Sequence, residues 1–281
     1  MTNHHSLSPS EVKDIENKVR SKLGEKLKTN RVLREEVLNF IEQEATLLKY
    51  PIEDDELCAF VCKKKERLFV YINTNIPKEK QVFAAAHELY HIWYDTDRLN
   101  ESELLRDSIL ENKTDDIREQ KANLFAAILL VPTEVLKNEL DSRNIQKNTL
   151  KLEDIVRLMS LFYAPYKTII RRLFEIGFLS ETELERFLEI PDRDPHNGVL
   201  LMRKRLQLSD STQDRTREVF FEGLVDNAIV AFEKKRISEK KLRYLLSLVN
   251  NSPENLQLFQ GSDIIDEDDL KDLMDDYGGD E

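Results

Sequence analysis

The chain has 281 residues, of which 40% are hydrophobic, so it can bury a core large enough for one large domain or two small ones. Charged residues make up 34% and there are only seven glycines, a composition typical of a mainly helical protein. Of the net charge of −12, residues 262–281 alone account for −9, and no concentrated basic patch offers itself to a nucleic-acid duplex. Direct DNA binding is therefore not expected as the main activity.

The N-terminal sequence and the cysteine content indicate in which cellular compartment the chain is expected. Residues 1–15 lack an apolar core and contain Glu11 and Asp14, unlike a secretory signal peptide. Cys58 and Cys62 are the only cysteines, and their spacing does not indicate a disulfide framework. No run approaches the ~20 apolar residues of a membrane helix. We expect a cytoplasmic chain without membrane association, with both thiols packed in a strand.

The first half of the chain predicts helices interrupted by a hairpin. Ser8, Pro9 and Glu11 form a capping pattern that starts a first helix within residues 1–30. Apolar residues near helical spacing predict a second helix over 32–48. Two β-rich runs around a charged turn then predict a hairpin with strands 57–63 and 67–73. The next helix is predicted over 77–95, since Pro77 is tolerated in a first turn.

The second half predicts helices throughout. After a polar excursion at 96–115, apolar patterns indicate helices over 116–132, 133–141, 152–164, 166–177, 200–210, 217–235 and 238–249. The break at 190–198, with two prolines and a glycine, is the candidate linker. The predicted fold is α+β and predominantly helical, with a small β-sheet packed on the helix of 77–95 and an all-helical C-terminal region. The predicted divisions are 1–30, 31–189, 199–261 and a disordered acidic tail, 262–281.

The segment "HELYH", residues 87–91, contains the residues of a possible zinc site. His87 and His91 are four residues apart and share one face of a helix, with Glu88 between them, as in H-E-x-x-H zinc sites. Zinc lowers the pKa of a bound water to about 7, so Glu88 could take its proton and pass it to a leaving amine. The alternative is an amphipathic helix with two half-buried histidines. The five-residue pattern alone does not decide between them.

A catalytic zinc needs a third protein ligand. The third histidine of the longer H-E-x-x-H pattern is missing, because Tyr94 and Asp97 stand where its glycine and histidine would be. The other histidines are His4 and His5 in a polar N-terminus and His196 in the candidate linker. A carboxylate from elsewhere in the chain is therefore required.

The combination of "FAAAHELYH" with "EQKANLFAAILLVP" resembles the ImmA/IrrE family of metallopeptidases, over about residues 35–185. The resemblance implies that Glu119 is the third zinc ligand, with manganese as an alternative metal. It also implies that the chain cuts a helix-turn-helix transcriptional repressor and thereby derepresses its genes. Tyr90, where many relatives have a small residue, is expected from helical phase to face away from the histidines and to affect packing only.

Two further side chains lie one helical turn from these ligands. Asn123 could orient Glu119 or a histidine by a hydrogen bond, or serve helix packing. Asp95 could do the same for His91, or cap a solvated helix end. Tyr163 and Tyr166 are candidates for stabilising the oxyanion.

Other functions remain open from the residues. Residues 152–180 have the layout of a helix-turn-helix, with Lys167, Arg171 and Arg172 on the second helix, and either contact DNA or close the fold. A non-catalytic metal-binding regulator would bind a repressor or DNA without needing Glu88. A toxin-type peptidase of a toxin–antitoxin pair would cut unrelated proteins.

Overall fold

We describe a computed structural model of the chain, which defines residues 7–26, 31–99 and 116–258. The predicted acidic tail, 262–281, and His4 and His5 lie outside the described residues. The chain divides into two compact units, Met1–Glu222 and Gly223–Glu281. The predicted linker, 190–198, and residues 199–222 of the predicted C-terminal region therefore lie within the first unit.

The first unit combines helices with a small mixed sheet. Its elements in chain order are α1 (Pro9–Lys26), α2 (Glu36–Glu44), β1 (Thr46–Tyr50), β2 (Ala59–Lys64), β3 (Arg67–Asn73), α3 (Lys78–Tyr94), α4 (Ile117–Leu130), α5 (Thr133–Ser142), α6 (Leu152–Phe162), α7 (Tyr166–Glu175), α8 (Glu181–Leu188), α9 (Gly198–Arg205) and β4 (Phe220–Phe221). Short 3₁₀ turns occur at Thr96–Arg98, Lys147–Thr149 and Ser211–Gln213. The predicted fold class, a predominantly helical α+β protein, is confirmed.

The sheet has the strand order β2-β3-β1-β4. The predicted hairpin is confirmed as antiparallel β2 and β3, joined by Lys65 and Glu66. Both residues have positive φ, 48° and 61°, as a type I′ turn requires. β1 is parallel to β3, and β4 is antiparallel to β1.

Two strand assignments correct the sequence prediction. The helix predicted over 32–48 stops at Glu44, because Ala45 is extended and the following residues pair with β3 as β1. The helix predicted over 217–235 begins only at Leu224, because Phe220 and Phe221 pair with β1 and Gly223 adopts a φ of 69°. The predicted all-helical C-terminal region thus contributes one short strand to the sheet.

Helix α3 occupies the centre of the first unit. Every residue from Glu79 to Ile92 is buried. The helix packs against β2 and β3 on one side and against α2 and α4 on others. A helix covered all round cannot show a clean amphipathic stripe, so its polar residues must be held by partners inside the fold.

A strap of residues 210–222 ties the start of α3 to the sheet. The Lys78 amide donates to the Asp214 carbonyl at 3.0 Å, and the Thr74 hydroxyl donates to the Glu218 carbonyl at 2.8 Å. At the far end, the Leu47 amide donates to a Glu222 carboxylate oxygen at 2.7 Å. These bonds join segments well over one hundred residues apart, so the strap is part of the first unit's framework.

The second unit contains α10 (Leu224–Glu233) and α11 (Glu239–Ser247). Ala228, Leu242 and Leu246 form its small buried core, and Ser238 caps α11. Across the residues that the structure describes, no helix combines the length and apolar character needed to cross a bilayer.

Candidate metal centre

Three buried side chains from two helices converge at one point. His87 and His91 come from α3 and Glu119 from the first turn of α4, and each is 2–3% exposed. His87 Nε2 lies 2.9 Å from Glu119 Oε2, and His91 Nε2 lies 3.5 Å from Glu119 Oε1. The two Nε2 atoms are 3.2 Å apart. One ligand atom from each residue therefore falls within 4.8 Å of the other two.

The opposite nitrogens of the two rings face other side chains. His87 Nδ1 is 3.0 Å from Asn123 Oδ1. Because an amide oxygen only accepts, this contact places a proton on Nδ1, and in the neutral ring Nε2 is then the nitrogen whose lone pair can bind a metal ion. His91 Nδ1 lies 3.5 Å from Asp95 Oδ2, beyond good hydrogen-bonding geometry. Both rings therefore turn Nε2 towards Glu119.

The histidines and carboxylates of this cluster shift one another's pKa values. Burial alone would lower the pKa of His91, but the Asp95 and Glu119 carboxylates outweigh it and raise that pKa to about 10. Burial alone would raise the pKa of Glu119, yet hydrogen bonds to His91 and His87 hold that pKa below its usual value. The carboxylate thus keeps its negative charge in a buried site and favours a positive charge beside it.

This donor set fits a divalent cation. Two imidazole nitrogens 3.2 Å apart need either a hydrogen or a metal ion between their lone pairs. Two imidazoles and one carboxylate are the ligands of several catalytic zinc sites, which keep the fourth position open. His87, His91 and Glu119 are therefore the residues that could hold the ion.

Glu88 lies beside this cluster and is 4% exposed. Burial raises the pKa of its carboxyl, while the neighbouring His87 and His91 lower it in part. The backbone of Val61 on β2 lies close enough to Glu88 to lower this pKa as well. A carboxylate with a raised pKa accepts a proton more readily than an ordinary glutamate, which suits a general base.

An aromatic cluster fixes the packing of α3 against α4. Tyr90, Trp93 and Tyr94 from α3 surround Phe125 of α4, with ring centroids 5.7–6.0 Å from it. Tyr90, expected to face away from the histidines, instead places its ring edge-on to His91 at 5.7 Å. The expectation was wrong because neighbouring helical positions differ by only about 100°, and a large ring spans that angle. Tyr90 therefore supports His91 directly.

Several other candidates have structural partners. The Tyr163 hydroxyl bonds with Ser211 Oγ at 2.8 Å, and the Tyr166 hydroxyl donates to the Phe187 carbonyl at 2.9 Å. Arg172 of α7 is 2% exposed and donates to the Val131 carbonyl at 3.1 Å and to Thr133 Oγ1 at 2.7 Å. These contacts give both tyrosines and Arg172 a packing role.

The cysteines behave as expected of core residues. Cys58 is 1% exposed, and burial raises the pKa of its thiol to about 11. Cys62 is half-buried on β2, and both are free thiols. A buried thiol with a raised pKa is unreactive, so neither residue joins the site.

Sequence reasoning missed the contribution of β2. The Val61 amide reaches Glu88, yet Val61 stands in an ordinary apolar strand pattern. The hairpin and the packing of a small sheet on the helix of 77–95 were predicted, but nothing in the spacing showed that the outer strand, β2, brings Val61 to Glu88. That contact depends on the tertiary packing of α3 on the sheet.

Comparison with known protein families identifies the region that contains both motifs. Residues 47–174 match the Peptidase_M78 family model, described as the IrrE N-terminal-like domain. The resemblance drawn from "HELYH" and the Glu119 segment is thereby confirmed, and the family supports a metallopeptidase. No match to a curated protein was found.

Proposed function

We propose that this chain, whose residues 47–174 form an IrrE N-terminal-like peptidase domain, is a zinc-dependent endopeptidase that cuts a helix-turn-helix transcriptional repressor. The observation that supports the peptidase most is the buried cluster of His87, His91 and Glu119 with Glu88 beside it. The repressor as substrate, and the derepression of its genes, follow from the family resemblance. Zinc is proposed over manganese because nitrogen ligands predominate.

Some residues of the site would bind the ion, and others would orient the residues that bind it. His87, His91 and Glu119 would hold the ion, and Asn123 fixes the His87 ring so that Nε2 faces inward. Asp95 would place negative charge behind His91. Partners of this kind orient the ligands and raise their basicity. When bound, zinc supplies a Lewis acid for the scissile carbonyl and lowers the pKa of water at its open position.

Glu88 would move the proton. Its carboxylate takes a proton from the attacking water and later donates it to the leaving nitrogen of the cut peptide bond. Burial favours both steps, because the raised pKa of Glu88 lets the carboxyl hold the proton between them. The Val61 amide would keep the carboxylate facing the site.

The outer edge of β2 would align the substrate. In a hairpin with a two-residue turn the flanking residues exchange hydrogen bonds, so alternate residues of β2 bond to β3. The Asn73 amide, which donates to the Cys58 carbonyl at 2.8 Å, shows the same register. Ala59, Val61 and Lys63 therefore turn their amide and carbonyl groups away from β3, and of these the Val61 amide meets Glu88. An extended peptide segment could pair there, next to Glu88.

The intact mass of a candidate repressor tests this function. The helix-turn-helix repressor encoded beside the gene would be co-expressed with the wild type or with Glu88→Gln. Two fragments with the wild type and none with Glu88→Gln would support the proposal and locate the cut. An intact repressor that co-purifies with both proteins would instead indicate a regulator that binds without cutting.

A further inference from the structure

The turn of the β2–β3 hairpin is strongly cationic. Residues 63–67 read Lys-Lys-Lys-Glu-Arg and carry a net charge of +3 in a chain of net charge −12. Lys63 pairs with Glu66 at 2.8 Å, and Lys64 and Lys65 are exposed. Charge of one sign concentrated on a small exposed element attracts groups of the opposite sign.

This turn lies at a defined distance from the candidate site. Val61, next to Glu88, precedes Lys64, the last residue of β2, by three residues, and Lys65 begins the turn that follows. A strand rises about 3.4 Å per residue, so Lys64 lies about 10 Å along the edge from Val61, and Lys65 follows it at the end of the strand. Within the described residues, no strand lies on the outer side of β2.

We infer that the cationic turn selects substrates with an acidic side chain three or four residues from the scissile bond, on one side of it. The inference rests on the proposed peptidase function and names a substrate class for that site. A substrate segment paired along β2 would advance at the same rise as the strand, so a residue three places from the cut would lie opposite Lys64, and the next residue would reach the turn at Lys65. There an aspartate or glutamate gains attraction, and a lysine or arginine is repelled.

The same lysines could instead serve only to protect the edge strand from pairing with other chains, and this explanation has to be distinguished from substrate selection. Lysines on an edge strand discourage pairing with other chains. A protective role would leave the choice among soluble peptides unchanged, whereas a selecting role would not. The sequence preference of cleavage is therefore the deciding measurement.

Cleavage of a mixed-sequence peptide library by the zinc-loaded full chain provides that measurement. With the wild type, cut peptides should be enriched in Asp and Glu three or four residues from the cut, and the enrichment should weaken with added salt. Lys64→Glu/Lys65→Glu should lower kcat/KM for such acidic peptides about 10-fold, mainly through KM, and favour Lys or Arg there. Lys64→Gln/Lys65→Gln should lose the preference without inverting it.

Lys234→Glu/Lys235→Glu is the matched control, because it makes the same change in exposed residues of the second unit. It should keep the wild-type preference. Zinc content should be equal in all variants, which separates recognition from folding. Cleavage without an acidic preference, or a preference unchanged in Lys64→Glu/Lys65→Glu, would overturn this inference alone. Wild-type cleavage no faster than that of Glu88→Gln would overturn the peptidase proposal and the inference with it.

Discussion

Asn123 shows how a single residue gains its role from the fold. Its distance in sequence from Glu119 left open whether it orients that carboxylate, a histidine, or only helix packing. In the structure its side-chain oxygen lies 3.0 Å from His87 Nδ1, on the opposite helix. The residue that it orients could be found only once α3 and α4 were packed together, whereas the candidate ligands were expected from the H-E-x-x-H spacing and, for Glu119, from the family resemblance.

We predict that Asn123→Ala weakens zinc binding by about 10–100-fold, because the His87 ring loses the acceptor that fixes its orientation. Asn123→Asp keeps an oxygen at the same place and should bind zinc within a few-fold of the wild type. Competition with a chromophoric chelator would measure both affinities. An unchanged affinity in Asn123→Ala would show that the contact serves helix packing alone.

Glu79, in the first turn of α3, is a buried acid outside the candidate site. It is 6% exposed, and its Oε2 has no hydrogen-bond partner within the described residues. Burial raises its pKa to about 7, although Gln213, Arg203 and Lys80 lower it in part and Asp192 adds to the rise. The unfolded chain releases this proton near pH 4.5, so folding stability is lost as the pH rises from about 4.5 to 7.

We predict that Glu79→Gln removes this loss. The difference in free energy of unfolding between Glu79→Gln and the wild type should shift in favour of the variant by on the order of 3 kcal/mol between about pH 4 and pH 8. Urea unfolding at several pH values would measure it. A difference that stays constant with pH would mean that Glu79 ionises in the folded protein as it does in the unfolded chain.

At the scale of elements, the sequence pattern predicted the helices and strands whose formation depends on neighbouring residues. The hairpin was predicted from its β-rich runs and α4 from its apolar run, which Pro132 ends. Strand β1 was missed because Leu47 and Leu48 continue the apolar spacing of α2, and only pairing with β3 makes them a strand. Strand β4 has only two residues, and it is a strand because those residues pair with β1. Both missed strands depend on partners distant in sequence.

The backbone at the start of α9 allows a prediction about the free energy of unfolding. Gly198 has a φ of +57°, and a Cβ there would lie 2.0 Å from the Pro191 carbonyl oxygen. We predict that Gly198→Ala lowers the free energy of unfolding by about 2–4 kcal/mol, because backbone must shift to relieve the contact. Gly24→Ala in α1 meets nothing within 4 Å and should instead stabilise by about 0.5–1 kcal/mol. Equal effects of the two substitutions in urea unfolding would contradict this account.

At the scale of the whole molecule, the first unit extends well past the family domain. The match ends at residue 174, but the strap of residues 210–222 bonds to β1 and to the start of α3. A protein ending at Glu222 should therefore unfold cooperatively and bind zinc, and one ending at residue 197 should do neither. Thermal unfolding and zinc content would test both truncations. A stable, zinc-binding protein without the strap would show that the strap is dispensable.

The most direct test of the central claim combines metal content with hydrolysis in one set of purified proteins. The account predicts that the wild type binds about one zinc and cuts the helix-turn-helix repressor encoded beside its gene. Glu88→Gln should bind zinc equally but cut at least about 100-fold more slowly, and His87→Ala should lose both zinc and activity. Equal hydrolysis by the wild type and Glu88→Gln, or a wild type that takes up no zinc, would contradict the account.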